Sequence, residues 1–324
     1  MPSAFDRPAP TIPRDRWNRP LVTPLDGGKP QAYTRCTTYV DVLEDKYNLQ
    51  RWQLRQCAIG LADRPDLLLS VSAHRDDKTA MNGIVEKAME AAASSAASTT
   101  GTALHALCER VDRGQPLGIV PPDARADVVA YQNATRGMEH VYIEQFSVHD
   151  ELKIGGTPDR VVCFDGRYYI ADIKTGSDIS WGAMKIGMQL AVYAHSTPYI
   201  PPGERHAYPF EVDKNDAIVI HLPAGQRRCE LQFVNIARGW EAVAVASQVR
   251  GLRSHKRWYT PITSQPQGDP PAIALSGVDQ QIAAAATVDE LKQIWVSAIA
   301  ASTWTEAHTA HAVQRRAELE KVAS

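Results

Sequence analysis

Two aspartates and a lysine lie on either side of a predicted tight turn. Asp165-Gly166 is the kind of dipeptide that gives the strongest short-range signal for a two-residue β-hairpin loop. With these residues in the loop, Asp159 on the first strand lies directly opposite Asp172 on the second. Because side chains alternate between the two faces of a sheet, Lys174 falls on the same face as both aspartates.

The same register predicts an apolar face for the hairpin. It gives the cross-strand pairs Phe164 with Arg167, Val162 with Tyr169, and Val161 with Ile170. The residues expected on the face of the two aspartates are Val161, Cys163, Tyr168 and Ile170. The two acids are therefore opposed on an apolar surface.

Opposed aspartates destabilise a sheet, because their Cβ atoms are only about 5 Å apart. Either one carboxylate takes up a proton, or a cation lies between them. Two aspartates with a nearby lysine suit a divalent metal that activates water for attack on a phosphodiester. The alternative is a solvated strand end, in which the acids form ion pairs with Arg160 and Lys174.

Further acids and a histidine precede the hairpin. In a helix expected to start near Thr102, His105 and Glu109 are four residues apart and share one face. A single histidine is more often a core or surface residue than a ligand. Glu144, in a strand expected at 141–148, faces the site only if the even-numbered residues point inward, and the alternative is an exposed strand glutamate.

A helix predicted over 178–196 follows the hairpin at once. Lys185, Gln189 and Tyr193 lie at four-residue steps and form one polar stripe along it. Such a stripe is either a solvated face or, in this position, a surface that overlooks the metal site and contacts a phosphate or a base.

Residues 250–259, RGLRSHKRWY, combine basic side chains with His255 and the aromatic pair Trp258-Tyr259. Basic and aromatic side chains together can follow a nucleic-acid backbone and stack on its bases. The alternative is a solvated helix end.

The composition is that of a globular protein of one or two domains. The chain has 324 residues, of which 44% are hydrophobic and 22% charged. A net charge of −2 means that any DNA surface must be a local patch. The five scattered cysteines, without a CxxC pair, fit a reducing cytosol. Without a membrane-length apolar run or a secretory signal at the start, we expect a cytoplasmic protein and no membrane partner.

The order of the predicted elements favours an α/β (α+β) class, with a central mixed β-sheet flanked by helices. Helices are expected at 39–62 with Thr38 as N-cap, 78–97, 122–137, 237–250, 278–300 and 303–322, and further strands at 151–155, 216–222 and 228–235. The segments are an extended N-terminal arm at 1–33, a helical region at 34–100, a core at 101–260, a Pro-rich linker at 261–277 and C-terminal helices at 278–324.

Four short motifs, in order, resemble those of the RecB-type branch of the PD-(D/E)XK nucleases. Gly101-Thr102-x-x-His105 is similar to the histidine helix of that family, and Gly156-Thr157-Pro158-Asp159-Arg160 to its G-x-x-D motif. Asp172-Ile173-Lys174-Thr175-Gly176 resembles the (D/E)-x-K strand, and Gln189-x-x-x-Tyr193 the Q-x-x-x-Y helix. The resemblance covers about 101–196. The helical flanks look most like bacteriophage exonucleases related to the CRISPR-adaptation nucleases.

The resemblance implies a restriction-endonuclease-like sheet and a site for Mg²⁺ or Mn²⁺. It makes His105, Asp159, Asp172 and the Ile173 carbonyl metal ligands, and it makes both aspartates and Lys174 catalytic. Lys174 would orient or deprotonate the attacking water, or stabilise developing negative charge. The residues implied to bind DNA or support the site are Arg160, Lys185, Gln189 and Tyr193, and the candidate accessory acids are Glu109 and Glu144.

Many of these relatives hold an iron–sulfur cluster through one cysteine before the histidine motif and three near the C-terminus. Cys229 is the only cysteine after Lys174, so four-cysteine ligation of that kind is excluded. We therefore expect no cluster.

The function implied is a metal-dependent DNA exonuclease, a hydrolase acting on single-stranded or duplex DNA ends. Its role would be phage DNA replication, recombination or end processing, in the bacterial host cytoplasm if the protein is phage-encoded, with recombination or replication proteins as partners. One alternative is an endonuclease of the same superfamily that cuts branched or single-stranded DNA. Another is a DNA-binding recombination partner with a nuclease-like fold and little activity.

Overall fold

The computed structural model describes residues 11–92, 96–259, 277–301, 303–304 and 306–322. The chain forms two units, Met1–Arg250 and Gly251–Ser324, and all the candidate site residues belong to the first. The first ten residues of the predicted arm lie outside the described residues. So does the Pro-rich linker predicted at 261–277, apart from Gly277.

Short strands make up the framework of the first unit. They are β1 Leu21–Val22, β2 Gln31–Ala32, β3 Thr34–Arg35, β4 Met138–Ile143, β5 Ser147–His149, β6 Ile154–Gly156, β7 Arg160–Phe164, β8 Arg167–Lys174, β9 Thr197–Ile200, β10 Glu204–Arg205, β11 Asp216–His221 and β12 Glu230–Asn235. One five-stranded sheet has the order β12-β11-β8-β7-β4, with β11 parallel to β8. The other has the order β10-β9-β5-β6-β3, with β3 parallel to β6. Both sheets are therefore mixed.

Helices flank these sheets and also form the second unit. Those of the first unit are α1 Cys36–Val40, α2 Tyr47–Asp63, α3 Pro65–Ala73, α4 Lys78–Ala91, α5 Ala96–Asp112, α6 Pro122–Ala134, α7 Ala183–Ala194 and α8 Ile236–Ser254, whose last turn enters the second unit. Those of the second unit are α9 Val278–Ala284, α10 Val288–Ala300 and α11 Glu306–Val322. The predicted α/β (α+β) class is confirmed, but two mixed five-stranded sheets stand in place of the single central sheet that was expected. No helix in the described ranges is long and apolar enough to cross a membrane.

The predicted hairpin and its register are confirmed. Strands β7 and β8 pair antiparallel, with Phe164 opposite Arg167 and Val161 opposite Ile170. Asp165 has a φ of 50° and Gly166 a φ of 73°. A two-residue loop with positive φ at both positions is a type I′ turn, whose twist matches that of the strands it joins.

The two faces of this hairpin are buried in different apolar clusters. Val161 and Ile170 pack with residues of α7 and α8, whereas Val162 and Ala171 pack with residues of α5 and α6. The alternation of side chains along β7 and β8 thus places one helical layer on each face. This arrangement brings α5 and α7 to the same pair of strands.

The predicted helix at 39–62 is divided in the structure. Helix α1 ends at Val40, a 3₁₀ turn covers Asp41–Leu43, and α2 begins only at Tyr47. The predicted N-cap at Thr38 is wrong, since Thr38 lies inside α1. Pro65 is the first residue of α3, a position where a missing backbone N–H costs nothing.

Two further predicted elements are interrupted. The strand expected at 141–148 breaks because Glu144 has a φ of 53°, so β4 ends at Ile143 and β5 begins at Ser147. The helix expected at 278–300 is split into α9 and α10. Thr287 and Glu290 form a capping box there, which satisfies the free N–H groups at the start of a new helix.

Helices α7 and α8 approach closely at Gly239. A Cβ added there would lie 2.3 Å from the Gly187 carbonyl oxygen, which belongs to a helix backbone and cannot move aside. We expect Gly239→Ala to lower the free energy of unfolding by about 1–3 kcal/mol, the usual cost of overpacking. The measurement is thermal unfolding followed by circular dichroism.

Gly251→Ala is the matched control, because Gly251 lies in the same helix and an added Cβ there has no described atom within 4 Å apart from the backbone of its own helix and its two chain neighbours. Alanine is the better helix former, so this variant should be as stable as the wild type or more stable. Equal melting temperatures for the Gly239 and Gly251 variants would contradict the close helix contact.

Candidate active site

Helix α5 brings His105 to the end of the hairpin. Leu104 and Cys108 of this helix are buried with Ala171 and Ile173 of β8, which leaves His105 beside the strand ends. Its Nδ1 lies 3.4 Å from Asp159 Oδ2. Burial lowers the pKa of His105, while the charge of Asp172 and the Ile173 main chain act in the opposite direction. The imidazole therefore lies beside Asp159 and the Ile173 main chain, and close enough to Asp172 to feel its charge.

Asp159 lies one residue before β7 and is held by main-chain contacts. Its Oδ2 accepts a hydrogen bond from the Ile173 N–H at 2.8 Å. Its carbonyl oxygen accepts hydrogen bonds from Glu144 N at 3.0 Å and from Arg160 Nη1 at 2.6 Å. The side chain thus leans onto β8 at Ile173, and the regular strand pairing ends at Arg160 with Ala171.

Asp172 and Lys174 form a tight pair on β8. The Asp172 side chain is only 4% exposed, and Lys174 Nζ lies 2.5 Å from its Oδ2. From the residues that the structure describes, no hydrogen bond of good geometry reaches this buried oxygen. Burial raises the pKa of Asp172 to about 6, with a further contribution from Asp159 and an opposing one from Lys174. Burial likewise raises the pKa of Asp159.

The donors gathered here suit a hard divalent cation. The half-buried Asp159 and the buried Asp172 place two carboxyl groups beside the one ammonium of Lys174, and within the described ranges no hydrogen bond reaches one Asp172 oxygen. Carboxylate and carbonyl oxygens are what Mg²⁺ and Mn²⁺ prefer, and one imidazole is compatible with Mn²⁺. Across the described ranges, no three His, Cys, Asp or Glu side chains are already arranged as a metal-binding group. Asp159 Oδ2 accepts a hydrogen bond from the Ile173 N–H, and Asp172 Oδ2 forms an ion pair with Lys174 Nζ.

The two candidate accessory acids lie near these carboxylates. Glu109 accepts a hydrogen bond from Arg113 at 2.9 Å, and its charge raises the pKa of Asp159. Glu144 lies at the kink between β4 and β5, with Oε1 3.6 Å from Arg160 Nη1. Burial raises the pKa of Glu144, and the Asp159 charge adds to the effect. Glu109 therefore adds negative potential to the site, whereas Glu144, with its pKa raised to about 8, is mostly protonated and uncharged at neutral pH.

Arg160 is buried, which is compatible with the supporting role of the two roles expected for it. Its side chain is 1% exposed, and its Nε donates to Asp112 Oδ2 at 2.7 Å. The Tyr131 hydroxyl donates to the same oxygen at 2.7 Å, and His140 Nε2 lies 3.4 Å from the other one. Arg160 therefore supports Asp159 from the interior.

The polar stripe predicted on α7 is not a single solvent-facing surface. Tyr193 is 3% exposed, and Gln189 Nε2 lies 3.4 Å from its hydroxyl. A Cβ at Gly156 would lie 2.8 Å from the Tyr193 ring, so the two motifs pack against each other. Lys185 donates to Asp41 at 2.7 Å. The burial of Tyr193 is compatible with the supporting role expected for it, and Lys185 forms an ion pair with Asp41.

Two residues near the site had no assigned role in the sequence analysis. Asp112 is seven residues after His105 on α5, and this spacing along one helix face was a signal that could have found it. His221 of β11 pairs in register with Lys174, and its Nε2 lies 2.8 Å from the Gly176 carbonyl oxygen. No local sequence signal predicts the parallel β8–β11 pairing that brings His221 there.

Comparison of the chain with models of known protein families and with curated proteins returned no match. The nuclease assignment therefore stays a prediction, carried by the motif residues and their geometry.

Asp172→Asn should stabilise the metal-free protein at neutral pH. An acid whose folded pKa is raised from 3.8 to about 6 keeps a proton that the unfolded chain releases, so the wild type loses stability as the pH rises through this interval. The neutral amide avoids that loss. We expect a gain on the order of 1–3 kcal/mol at pH 7.5 in EDTA, which shrinks towards pH 4. Melting temperatures across this pH range measure it.

Asp165→Asn is the matched control, since it removes the same charge at an exposed turn position that asparagine also accepts. It should leave the melting temperature nearly unchanged. A less stable Asp172 variant at pH 7.5 would show that the two carboxylates do not repel each other in the folded protein.

Proposed function

We propose that this protein is a metal-dependent deoxyribonuclease that hydrolyses phosphodiester bonds, acting as an exonuclease. The observation that carries the proposal is the convergence of His105, Asp159, Asp172 and the Ile173 main chain beside Lys174. These residues come from a helix, a strand end and a strand that only the folded chain brings together. The exonuclease mode and a phage recombination or end-processing role rest on the family resemblance alone.

The residues around the two aspartates would hold Mg²⁺ or Mn²⁺. His105, Asp159, Asp172 and the Ile173 carbonyl provide the oxygen and nitrogen donors. The bound cation would supply positive charge that neutralises phosphate and lowers the pKa of water. Without it, the buried carboxylates would repel a phosphodiester.

Lys174 acts at the edge of this cluster. Its side chain is 25% exposed, so the ammonium group can reach a substrate while it remains paired with Asp172. From there Nζ can donate hydrogen bonds to the attacking water and to a phosphate oxygen, where negative charge grows. Asp172 thereby also orients Lys174, while Arg160 and Tyr193 fix the surroundings from the interior.

Asp172→Ala and Lys174→Ala should each reduce DNA cleavage by at least about 100-fold, the scale on which one preorganised charge contributes to catalysis. The assay uses end-labelled linear DNA, single- and double-stranded, with Mg²⁺, Mn²⁺ or EDTA, and Asp165→Asn as the active control. Cleavage at wild-type rates by both pure variants would remove the catalytic assignment.

Covalently closed circular DNA tests the mode of cleavage in the same assay. An exonuclease needs an end and should leave the circle intact, whereas an endonuclease of this superfamily would open it. DNA binding without cleavage under any of these metals would instead indicate a nuclease-like binding protein.

Divalent cations should stabilise the wild type but not variants of the ligand set. A ligand at about 100 times its Kd adds about 2.7 kcal/mol to the free energy of unfolding. We therefore expect Mn²⁺ to raise the melting temperature by roughly 5 °C or more, with a smaller rise for His105→Ala and none for Asp159→Asn. The control Asp165→Asn should respond like the wild type. An equal Mn²⁺ response in the Asp159 variant would argue against ligation at this site.

A further inference from the structure

The end of α8 carries a run of positive charge without acids. Between Glu241 and Asp269 the sequence contains arginine and lysine but no aspartate or glutamate. Within the second unit, Arg253, Lys256 and Arg257 are exposed, and none of them forms an ion pair in the part of the chain that the structure describes. These three cations are therefore available to an anionic ligand.

Aromatic surface lies beside these charges. Trp258 is 60% exposed and Tyr259 is 94% exposed. The ring of His255 makes an edge-to-face contact with Trp258, with centroids 5.4 Å apart. This contact restrains the indole, while most of the side chain stays open to solvent. A tryptophan that is this exposed and surrounded by charged side chains does not contribute to an apolar core.

Three of these residues, His255, Lys256 and Trp258, line a cleft of about 700 Å³ inside the second unit. Residues lining it from its two sides are His255, Lys256 and Trp258 after α8, and Lys292, Gln293 and Val296 on α10. No Asp or Glu of the described ranges lines it, although Asp289 pairs with Lys292 at 2.9 Å on the surface. The cleft thus combines cations, an amide and an indole.

We propose that this cleft binds single-stranded DNA, with Trp258 stacked on a base, Lys256 on a phosphate within the cleft, and the exposed Arg257 on a phosphate beside it. Unpaired bases expose the faces on which an indole stacks, and cations beside the stack follow the backbone. The choice of DNA as the nucleic acid rests on the proposed nuclease function. The site itself belongs to the C-terminal unit and uses none of the catalytic residues.

The test measures binding of a fluorescein-labelled 20-nucleotide oligo-dT to the full chain in EDTA, by fluorescence anisotropy at several salt concentrations. Trp258→Ala should weaken binding at least fivefold, since one stacked base contributes about 1 kcal/mol or more. Trp258→Phe should recover most of the affinity. Trp17→Ala removes a tryptophan of equal exposure, 60%, from the first unit and should have no effect.

The phosphate contacts are tested by the double substitution Lys256→Gln/Arg257→Gln. The plot of the log association constant against the log salt concentration has a negative slope. Its magnitude should decrease by roughly 1.4, because each phosphate contact on a single strand contributes about 0.7. Lys29→Gln/Arg75→Gln removes two exposed cations from the first unit and is the matched control.

Affinity and salt slope that match the wild type in both the Trp258 and the Lys256/Arg257 variants would overturn the proposal. So would a duplex of the same length that binds as tightly as oligo-dT with the same dependence on Trp258. If the variants lose affinity as expected but no metal supports cleavage, the proposal of DNA binding in the cleft holds and the nuclease proposal fails. If DNA is cleaved but the variants bind like the wild type, only the proposal of DNA binding in the cleft fails.

Discussion

Repulsion between two buried carboxylates, Asp159 and Asp172, is the interaction on which the arrangement of the first unit depends. Burial and mutual charge raise the pKa of Asp172, and burial raises that of Asp159. Three groups offset this repulsion. The Ile173 N–H donates to the Asp159 carboxylate, the Lys174 ammonium pairs with Asp172, and the Arg160 guanidinium places positive charge beside Asp159. A buried charge without such partners costs several kcal/mol, so these compensating groups are part of the fold and not only of the site.

The two helical layers place further polar residues around these carboxylates from opposite faces of the hairpin. Helix α5, packed on one face of the β7–β8 hairpin, carries His105 and Asp112. Helix α7, packed on the other, carries Tyr193 against Gly156. Because each helix is fixed by its own apolar cluster, the polar residues between them are held by packing that does not involve charge. This separation allows a repulsive cluster to persist inside a stable unit.

Local chemistry explains which features could be predicted from the sequence. Asp165-Gly166 fixes a turn type, the turn fixes the register, and strand alternation then places Val161, Ile170 and Asp172 on one face. Features that depend on distant partners could not be predicted. Arg160 is buried because Asp112, 48 residues away, meets it, and β4 ends early because Glu144 takes a positive φ beside Asp159.

The ion pair between Asp112 and Arg160 has a consequence for how this protein can vary. Arg160 adjoins Asp159 in the chain, and Asp112 lies two helical turns from His105, so one buried contact sets the rotation of α5 about its axis relative to β7. If that helix rotated, the imidazole would move away from Asp159 and the guanidinium would lose its counterion in the same movement. The ion pair thus adds to the apolar packing of α5 and links the position of the imidazole to the stability of the fold.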